Sequence, residues 1–583
     1  MSGAASGERA GSGALAAFAV AFLATAYPPL MTLWGEGVAG AFRYLASDAF
    51  YYLTVAERSA VASFYTFDGL FPTNGFHPLW QYYLTAAFAQ LRLSSGGQVI
   101  FAFASGLVFT AVGTGLFAAA MQRVTRSFML ALLAAVPGFY FLLLPSLNVS
   151  YFSQWSFVNG MESPLSVLFF GVLCHLLVNR RLLAGTVDVP RALGLAAVLT
   201  LLVLSRLDDV FLFVPFGAFL FLGQGAPRRR WLRTGAFLAV PLLCIGAYLA
   251  YNFSYAGNFM PVSGTAKNEG LVWGLLRNGF ALLTTFLPFV DPLGRGGATW
   301  GSEAWRVLQM VVPATAAALW LAFTKRDVRA PLAGERDEQR LALTLLCVYV
   351  ILKASYNFAL VRLWHQGQWY YPVSIMTFDW IVAAAAADAL ARMRVNAPSS
   401  SAHGGSRWLR PRVLALCATL LLVLLQANAF LDSKRTGAFG LGNYRFWERR
   451  EEIAATLERR CPGCGLLEFD DGILAYSLPM HVMNGLGLTL DKDAIEARRR
   501  GELIDVAWAR GFRLLASLNY PMAEAAYADA DRLRQALAAN GQLRGQKLDA
   551  WDFETIYVDR ESGIAFVAFR PRGANPAAAE RQP

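Results

Sequence analysis

Long apolar runs, repeated along most of the chain, constrain this sequence more than any other feature. They include Ala14–Trp34, Ile100–Met121, Phe128–Leu147, Trp231–Tyr251, Leu341–Leu360 and Val413–Leu431. As a helix, each is long enough to cross a hydrocarbon core of about 30 Å. A water-soluble chain of 583 residues would carry about 25% charged residues; this one carries 16%, with 56% hydrophobic. The expected fold class is therefore a polytopic α-helical membrane protein. The first run has no basic region before it and no tidy small-residue cleavage site, so it reads as a retained span.

Basic residues orient these runs. The net charge of +11 gathers at Arg123/Arg126, Arg180/Arg181/Arg191, Arg228–Arg230 with Arg233, Lys325/Arg326/Arg329/Arg336/Arg340, and Arg392/Arg394/Arg407/Arg410/Arg412. Short connections rich in Lys and Arg lie on the cytoplasmic side. The basic excess thus needs no nucleic-acid partner. If all five clusters are cytoplasmic, the segments between them pair as out-and-back hairpins: 128–147 with 163–179, 192–205 with 209–223, 231–252 with 305–324, and 341–360 with 372–391. Pro78–Leu91 and Leu271–Val290 are left over, and both are expected to lie along or dip into the outer surface. The layout gives about eleven spans, or up to about thirteen if both leftovers cross. The N-terminus is then inside and the C-terminus outside.

Under that topology the chemically capable residues fall on the outer face. The first outer loop, residues 36–78, carries Asp48 in S-D-A-F-Y-Y-L-T, and Asp68, Asn74 and His77 in F-D-G-L-F-P-T-N-G-F-H-P-L-W. Asn159 and Glu162 sit in N-G-M-E-S-P-L, and Arg206, Asp208 and Asp209 in R-L-D-D. Lys267 ends M-P-V-S-G-T-A-K; His365, Tyr370 and Tyr371 lie in W-H-Q-G-Q-W-Y-Y-P. Each has a plainer reading. Asp48 and Glu162 can cap the helices that follow. Arg206 and Asp208 can neutralise one another, and Trp and Tyr decorate any membrane interface. Carboxylates, a few cations and aromatic faces at an outer leaflet nevertheless suit transfer of a sugar from a lipid phosphate. The acceptor hydroxyl needs a general base, and the leaving phosphate needs cations and hydrogen-bond donors. No P-loop, no convincing G-x-G-x-x-G and no Asp-x-Asp motif points to a nucleotide donor.

On these residues the chain resembles the GT-C class of membrane glycosyltransferases, which use polyprenyl-phosphate sugars. The resemblance rests on S-D-A-F-Y-Y-L-T-V-A, F-D-G-L-F-P-T-N-G-F-H-P-L-W, G-M-E-S-P-L, R-L-D-D, the run Asn252–Lys267 and W-Y-Y-P, in that order over residues 1 to about 430. It implies an acid in the first outer loop as general base or metal-site residue, and Asp48 is the match. Many relatives carry two adjacent acids there, whereas this chain has Ser47 before Asp48. A divalent cation, magnesium or manganese, is thus less firmly implied. Chemistry and position make Asn74, His77, Glu162, Arg206, Asp208, Lys267, His365, Tyr370 and Tyr371 the candidates for donor or acceptor binding. The layout is similar to that of bacterial arabinofuranosyl- and mannosyltransferases acting at the outer face of the cytoplasmic membrane. Such an enzyme has a glycan, lipid or protein acceptor. A transporter or flippase of lipid-linked sugars is the rival; it would place polar groups mid-membrane and often shows repeats. No repeat at a fixed short period is visible, and a scaffold would leave the ordered polar islands unexplained.

Composition shifts after residue 431. Residues 432–572 are expected to form a soluble, extracytoplasmic α/β domain following the transmembrane domain 1–431, and 573–583 a disordered tail. The expected strands are Gly465–Glu468, His481–Asn484, Arg513–Ser517 and Ile564–Phe569. Helices are expected over Glu448–Arg460, Gly472–Leu478, Ala494–Arg510 and Ala523–Ala539. The run D-D-G-I-L-A-Y-S-L-P-M-H-V-M-N-G-L-G-L resembles the C-terminal region of many bacterial GT-C proteins; Asp470 and Asp471 read as a loop at a strand end. Cys174, Cys244, Cys347 and Cys417 read as packing residues, and Cys461 with Cys464 as a pair able to form a local disulfide.

Overall fold

The computed structural model describes residues 2–135, 155–223, 225–267, 270–286, 296–324, 334–361, 368–395, 438–469, 472–517, 530–539, 543 and 545–573. The expected span Val413–Leu431, much of 128–147, His365, Cys417, Asp470, Asp471 and the tail 574–583 lie outside them.

Helices form where the apolar runs predict them. Among the described residues, Ser12–Tyr44, Ser95–Thr125, Pro227–Ala256, Glu335–Leu360 and Pro372–Arg392 are long and apolar enough to cross a membrane. Ser163–Asn179, Val189–Ser205 and Met310–Thr324 are shorter apolar helices. The chain is a multi-pass membrane protein. The two leftover segments are helices over Pro78–Leu91 and Leu271–Phe286, of 14 and 16 residues. The polar interruption in the second has a local cause: the Asn278 side chain donates to the carbonyls of Phe358 (2.7 Å) and Val361 (3.0 Å). It thereby satisfies acceptors at the end of the Glu335–Leu360 helix, where intrahelical donors run out.

Two compact units divide the chain. One comprises residues 1–35, 103–246 and 268–436, the other 36–102, 247–267 and 437–583. In the first, a continuous apolar core runs through residues such as Phe117, Phe170, Leu199, Phe216, Leu346 and Trp380. Small residues bring backbones together. A Cβ at Gly113 would lie 2.4 Å from the Val167 carbonyl oxygen, and one at Gly171 2.2 Å from the Gly113 oxygen. Only glycine permits that helix contact, the close approach that stands in for hydrophobic drive inside lipid. Two of the basic clusters are partly neutralised by acids of the Glu335–Leu360 helix. Arg123 pairs with Glu335, and Arg181 grips Glu338 with two bonds of 2.9 and 2.7 Å. Both acids sit in the first turn of their helix, where the helix dipole favours negative charge.

The second unit carries a five-stranded sheet in the order β2-β1-β3-β5-β4. The strands are β1 Gly465–Glu468, β2 Val482–Asn484, β3 Phe512–Ser517, β4 Trp551–Asp559 and β5 Ile564–Pro571. β1 runs parallel to β2 and β3, while β5 is antiparallel to β3 and β4. Helices over Lys492–Arg500, Leu503–Ala509 and Ala530–Ala539 contribute Ile495, Ile504 and Leu537 to a core shared with Leu467, Phe512 and Val567. The expected helix Ala494–Arg510 is broken at Gly501 (φ 76°), which forms a left-handed cap. β4 was absent from the sequence expectation. Cys461 and Cys464 form a disulfide directly after the Arg450–Arg460 helix.

Candidate functional site

The sequence islands sort into two clusters, one in each unit. In the second unit, S-D-A-F-Y-Y-L-T folds as the helix Ala49–Val61 with Asp48 at its N-cap position. Asp48 does not cap it. A capping side chain needs extended backbone to reach the second or third amide, whereas Asp48 is already helical (φ −59°, ψ −21°) and makes no capping bond. The first amides are met by the preceding backbone instead, with Ala49, Phe50 and Tyr51 donating to the carbonyls of Ala46, Ser47 and Asp48. The partly exposed carboxylate is therefore not committed to ending its helix.

The rest of the loop is locked in place. Buried Asp68 accepts from the amides of Leu70 and Phe71, both at 2.8 Å, and from Thr66 Oγ1 at 3.2 Å. Burial raises its pKa above the ordinary value, against those three donors and the nearby Arg58 charge. Asn74 is a clamp: its Oδ1 accepts from the Val262 amide (3.1 Å), while its Nδ2 reaches the carbonyls of Asn258 and Met260 at 3.5 Å. It thus joins T-N-G-F-H-P to the Asn252–Lys267 island. His77 precedes Pro78 at the start of the next helix, and its amide lies 3.4 Å from the Tyr52 hydroxyl. Gly75 allows this loop to press on the C-terminal region, since a Cβ there would fall 1.8 Å from the Leu488 carbonyl oxygen.

The D-D-G-I-L-A-Y-S-L-P-M-H-V-M-N-G-L-G-L run meets the same helix. Arg58 donates to the carbonyls of Phe67 (2.7 Å), Ala475 (2.9 Å) and Met480 (3.0 Å). Burial lowers its pKa from the ordinary arginine value, with Asp68, Glu57 and Glu468 opposing. Asn484 donates to the Tyr51 hydroxyl (3.0 Å), and His481 Nδ1 lies 2.8 Å from the Asp68 carbonyl oxygen. Tyr476 donates to the Ser95 carbonyl at 2.6 Å. Gly472 (φ 90°) brings its backbone against Tyr51, leaving no room for a side chain.

The first unit holds the other cluster, in which Glu162, Arg206, Asp208, Tyr370 and Tyr371 are brought together. Arg206, 2% exposed, pairs with Glu162 and with Asp208 (3.0 Å). It also donates to the Trp369 carbonyl (2.9 Å), and its guanidinium lies 4.2 Å from the centre of the Tyr370 ring. R-L-D-D forms a 3-10 turn over Leu207–Leu212 that points Asp209 inward. Asp209 binds Lys353 and the Tyr349 hydroxyl, and Lys353 also lies 3.4 Å from Asp208. Asn159 turns its own loop, its Oδ1 accepting from the Met161 amide (3.2 Å) and the Ser163 hydroxyl (3.3 Å).

Sequence reasoning missed Lys353, Tyr349 and Arg58. The signal for Lys353 was present, since it is a lysine inside the run L-T-L-L-C-V-Y-V-I-L-K, and a cation there needs a partner. Lys267 is the last residue of the helix Val262–Lys267. Magnesium or manganese would take oxygen ligands. Among the described residues no group of three or more His, Cys, Asp or Glu side chains is placed to hold a metal ion.

No protein-family model and no curated protein matches the chain. Solved structures of the oligosaccharyltransferase AglB from the archaeon Archaeoglobus fulgidus are similar in fold at a distance. One, in complex with an inhibitory peptide and a dolichol-phosphate, shares 12% identity over 90% of this chain and 71% of its own, with a TM-score of 0.45. Another, tethered to an acceptor peptide, shares 12% identity over 91% and 71%, also with a TM-score of 0.45. A third, with zinc and sulfate, covers 90% and 69% at 12% identity and a TM-score of 0.43. Values this low carry neither residues nor activity across.

Proposed function

We propose that this protein is a membrane glycosyltransferase of the GT-C type, which moves a sugar from a polyprenyl-phosphate donor to a glycan, lipid or protein acceptor. Asp48 is its general base. The observation that carries this reading is the place of Asp48: a partly exposed acidic residue at the start of the helix Ala49–Val61. It stands in the sequence island that most resembles the class. In the proposed reaction Asp48 takes the proton of the acceptor hydroxyl, whose oxygen bonds to the anomeric carbon. The bond from that carbon to the phosphate oxygen breaks, and polyprenyl phosphate leaves with the electron pair. Lys267 and His365 are the proposed cations for that developing charge. Asn74 and His77 are proposed to shape the loop around the acceptor. Glu162, Arg206, Asp208, Tyr370 and Tyr371 are proposed as a preorganised polar wall for substrate. Arabinofuranose and mannose are the sugars that the layout favours.

The test is transfer of radiolabelled sugar from synthetic polyprenyl-phosphate donors by the purified protein. Asp48→Asn should lower the rate by about 10²–10⁴-fold; undiminished transfer by a folded variant removes Asp48 as the base. One observation favours the transporter reading, namely buried Lys353, which lies within a membrane-capable helix and pairs with Asp209 of the Leu207–Leu212 turn. Flux of lipid-linked sugar across proteoliposomes without new glycosidic bonds would establish that reading instead. The proposed setting is the bacterial cytoplasmic membrane, with the transmembrane domain 1–431 followed by an extracytoplasmic domain 432–572. A periplasmic reporter fused after Arg435 should be active, and cytoplasmic behaviour would overturn that orientation.

A further inference from the structure

Within the first unit lies a cavity of about 250 Å³ that no part of the proposed reaction uses. Its rim is basic, with Arg126 at the end of the helix Ser95–Thr125 and Arg336 and Arg340 in the first turns of Glu335–Leu360. Arg340 lies 3.5 Å from Asp388, while Arg126 and Arg336 have no ion pair among the described residues. Three guanidiniums against one carboxylate leave the rim two positive charges in excess. Deeper in, the lining turns apolar and aromatic, with Leu343, Trp320 and Trp380. The indole N–H of Trp320 is buried there without a hydrogen-bond partner among the described residues.

Helix stability does not account for this arrangement. Arg126, at a helix C-terminus, is favoured by the helix dipole, but Arg336 and Arg340 stand at an N-terminus, where the dipole disfavours cations. An anion in the cavity would offset the excess charge of the arginines. The lining also selects the kind of anion. A free phosphate ion would leave the aromatic floor unfilled, whereas a phosphate attached to acyl chains fills both parts. The cavity and the Lys353 network lie on one helix, with Arg340 and Lys353 about 20 Å apart along it at 1.5 Å per residue. The basic end is the one the charge rule places in the cytoplasm. We propose that this cavity binds the phosphate headgroup of an anionic phospholipid of the cytoplasmic leaflet, with Arg126 and Arg336 as its ligands and Trp320 as a donor.

The experiment uses the full-length protein in nanodiscs of phosphatidylcholine with or without phosphatidylglycerol. Bound lipid is counted by native mass spectrometry, and Tm is read in parallel. Phosphatidylglycerol should co-purify with the wild type and raise its Tm. Arg126→Gln with Arg336→Gln should weaken that retention about tenfold. Ala387→Leu, which fills the cavity without changing charge, should also release the lipid. Full retention of phosphatidylglycerol by both variants would overturn the proposal, as would inorganic phosphate alone reproducing the whole rise in Tm. The pair of variants separates loss of the site from failure to fold, because each alters it through a different property.

Discussion

Arg206 and Arg58 meet the same difficulty in two ways. Arg206 stands in the first unit among Glu162, Asp208 and the Tyr370 ring, so its charge is answered by opposite charge and by a π-face. Arg58 in the second unit turns its guanidinium on three backbone carbonyls. The first solution builds a site that holds charge of both signs. The second builds a joint, because one carbonyl lies in the loop that follows its own helix and the other two in the run Ala475–Met480, far along the chain. A buried ion pair is strongly sensitive to loss of one partner, whereas a carbonyl joint loses its bonds one at a time.

The sharpest way to break this comparison is at the buried Lys353–Asp209 pair, both residues being fully buried. Lys353→Met should destabilise the protein by about 3–5 kcal/mol, because it strands a buried carboxylate. Combining it with Asp209→Asn should recover most of that loss. Thermal unfolding in detergent, followed by tryptophan fluorescence, checks both, and an additive double variant would deny the coupling. Arg58→Met should cost less, about 2–3 kcal/mol, since its lost partners are neutral carbonyls. Its effect should appear as faster amide exchange at Ile473–Ser477 with no change around Lys353.

Asp68 offers the mildest test, and one with a sign in pH. Burial raises its pKa, so folding favours the protonated form. Its contribution is present below the ordinary carboxylate range and is lost as pH rises through the folded value. Asp68→Asn keeps the Oδ1 acceptor and removes that loss. The variant should match wild type near pH 4 and exceed it by under about 1 kcal/mol at pH 7, as read from Tm across pH. A variant less stable at pH 7 than at pH 4, relative to wild type, would show that the ionised carboxylate is the form the turn requires.

The helices were legible because apolar length is a local property. The runs at Ile100–Met121 and Leu341–Leu360 each lie within a single long helix. β1, β2, β3 and β5 were legible from short apolar stretches between turns, but β4 was not. In W-D-F-E-T-I-Y-V-D the alternation holds at Trp551, Asp552, Phe553 and Glu554, then fails where the register with β5 shifts between Thr555 and Tyr557. The site was legible as a set of islands and not as a grouping. Nothing local in T-N-G-F-H-P says that Asn74 will hold the backbone at Val262, or that Gly75 will face Leu488. Glu162 had a plausible capping role and Arg206 a partner in Asp208, two residues on; the Arg206–Glu162 pair is a fact of helix packing.

Arg58 also has a history within each molecule. Two of its three carbonyl partners lie 417 and 422 residues further along the chain. At about 5–20 residues per second of synthesis, they emerge roughly 20–80 s after the arginine itself. Through that interval the loop around Asp48 stands half-assembled, and the last quarter of the chain completes it. A ribosome that stalls late, or a protease that trims the nascent end, therefore leaves Arg58 without two of its three carbonyl partners and the proposed base in an unfinished frame.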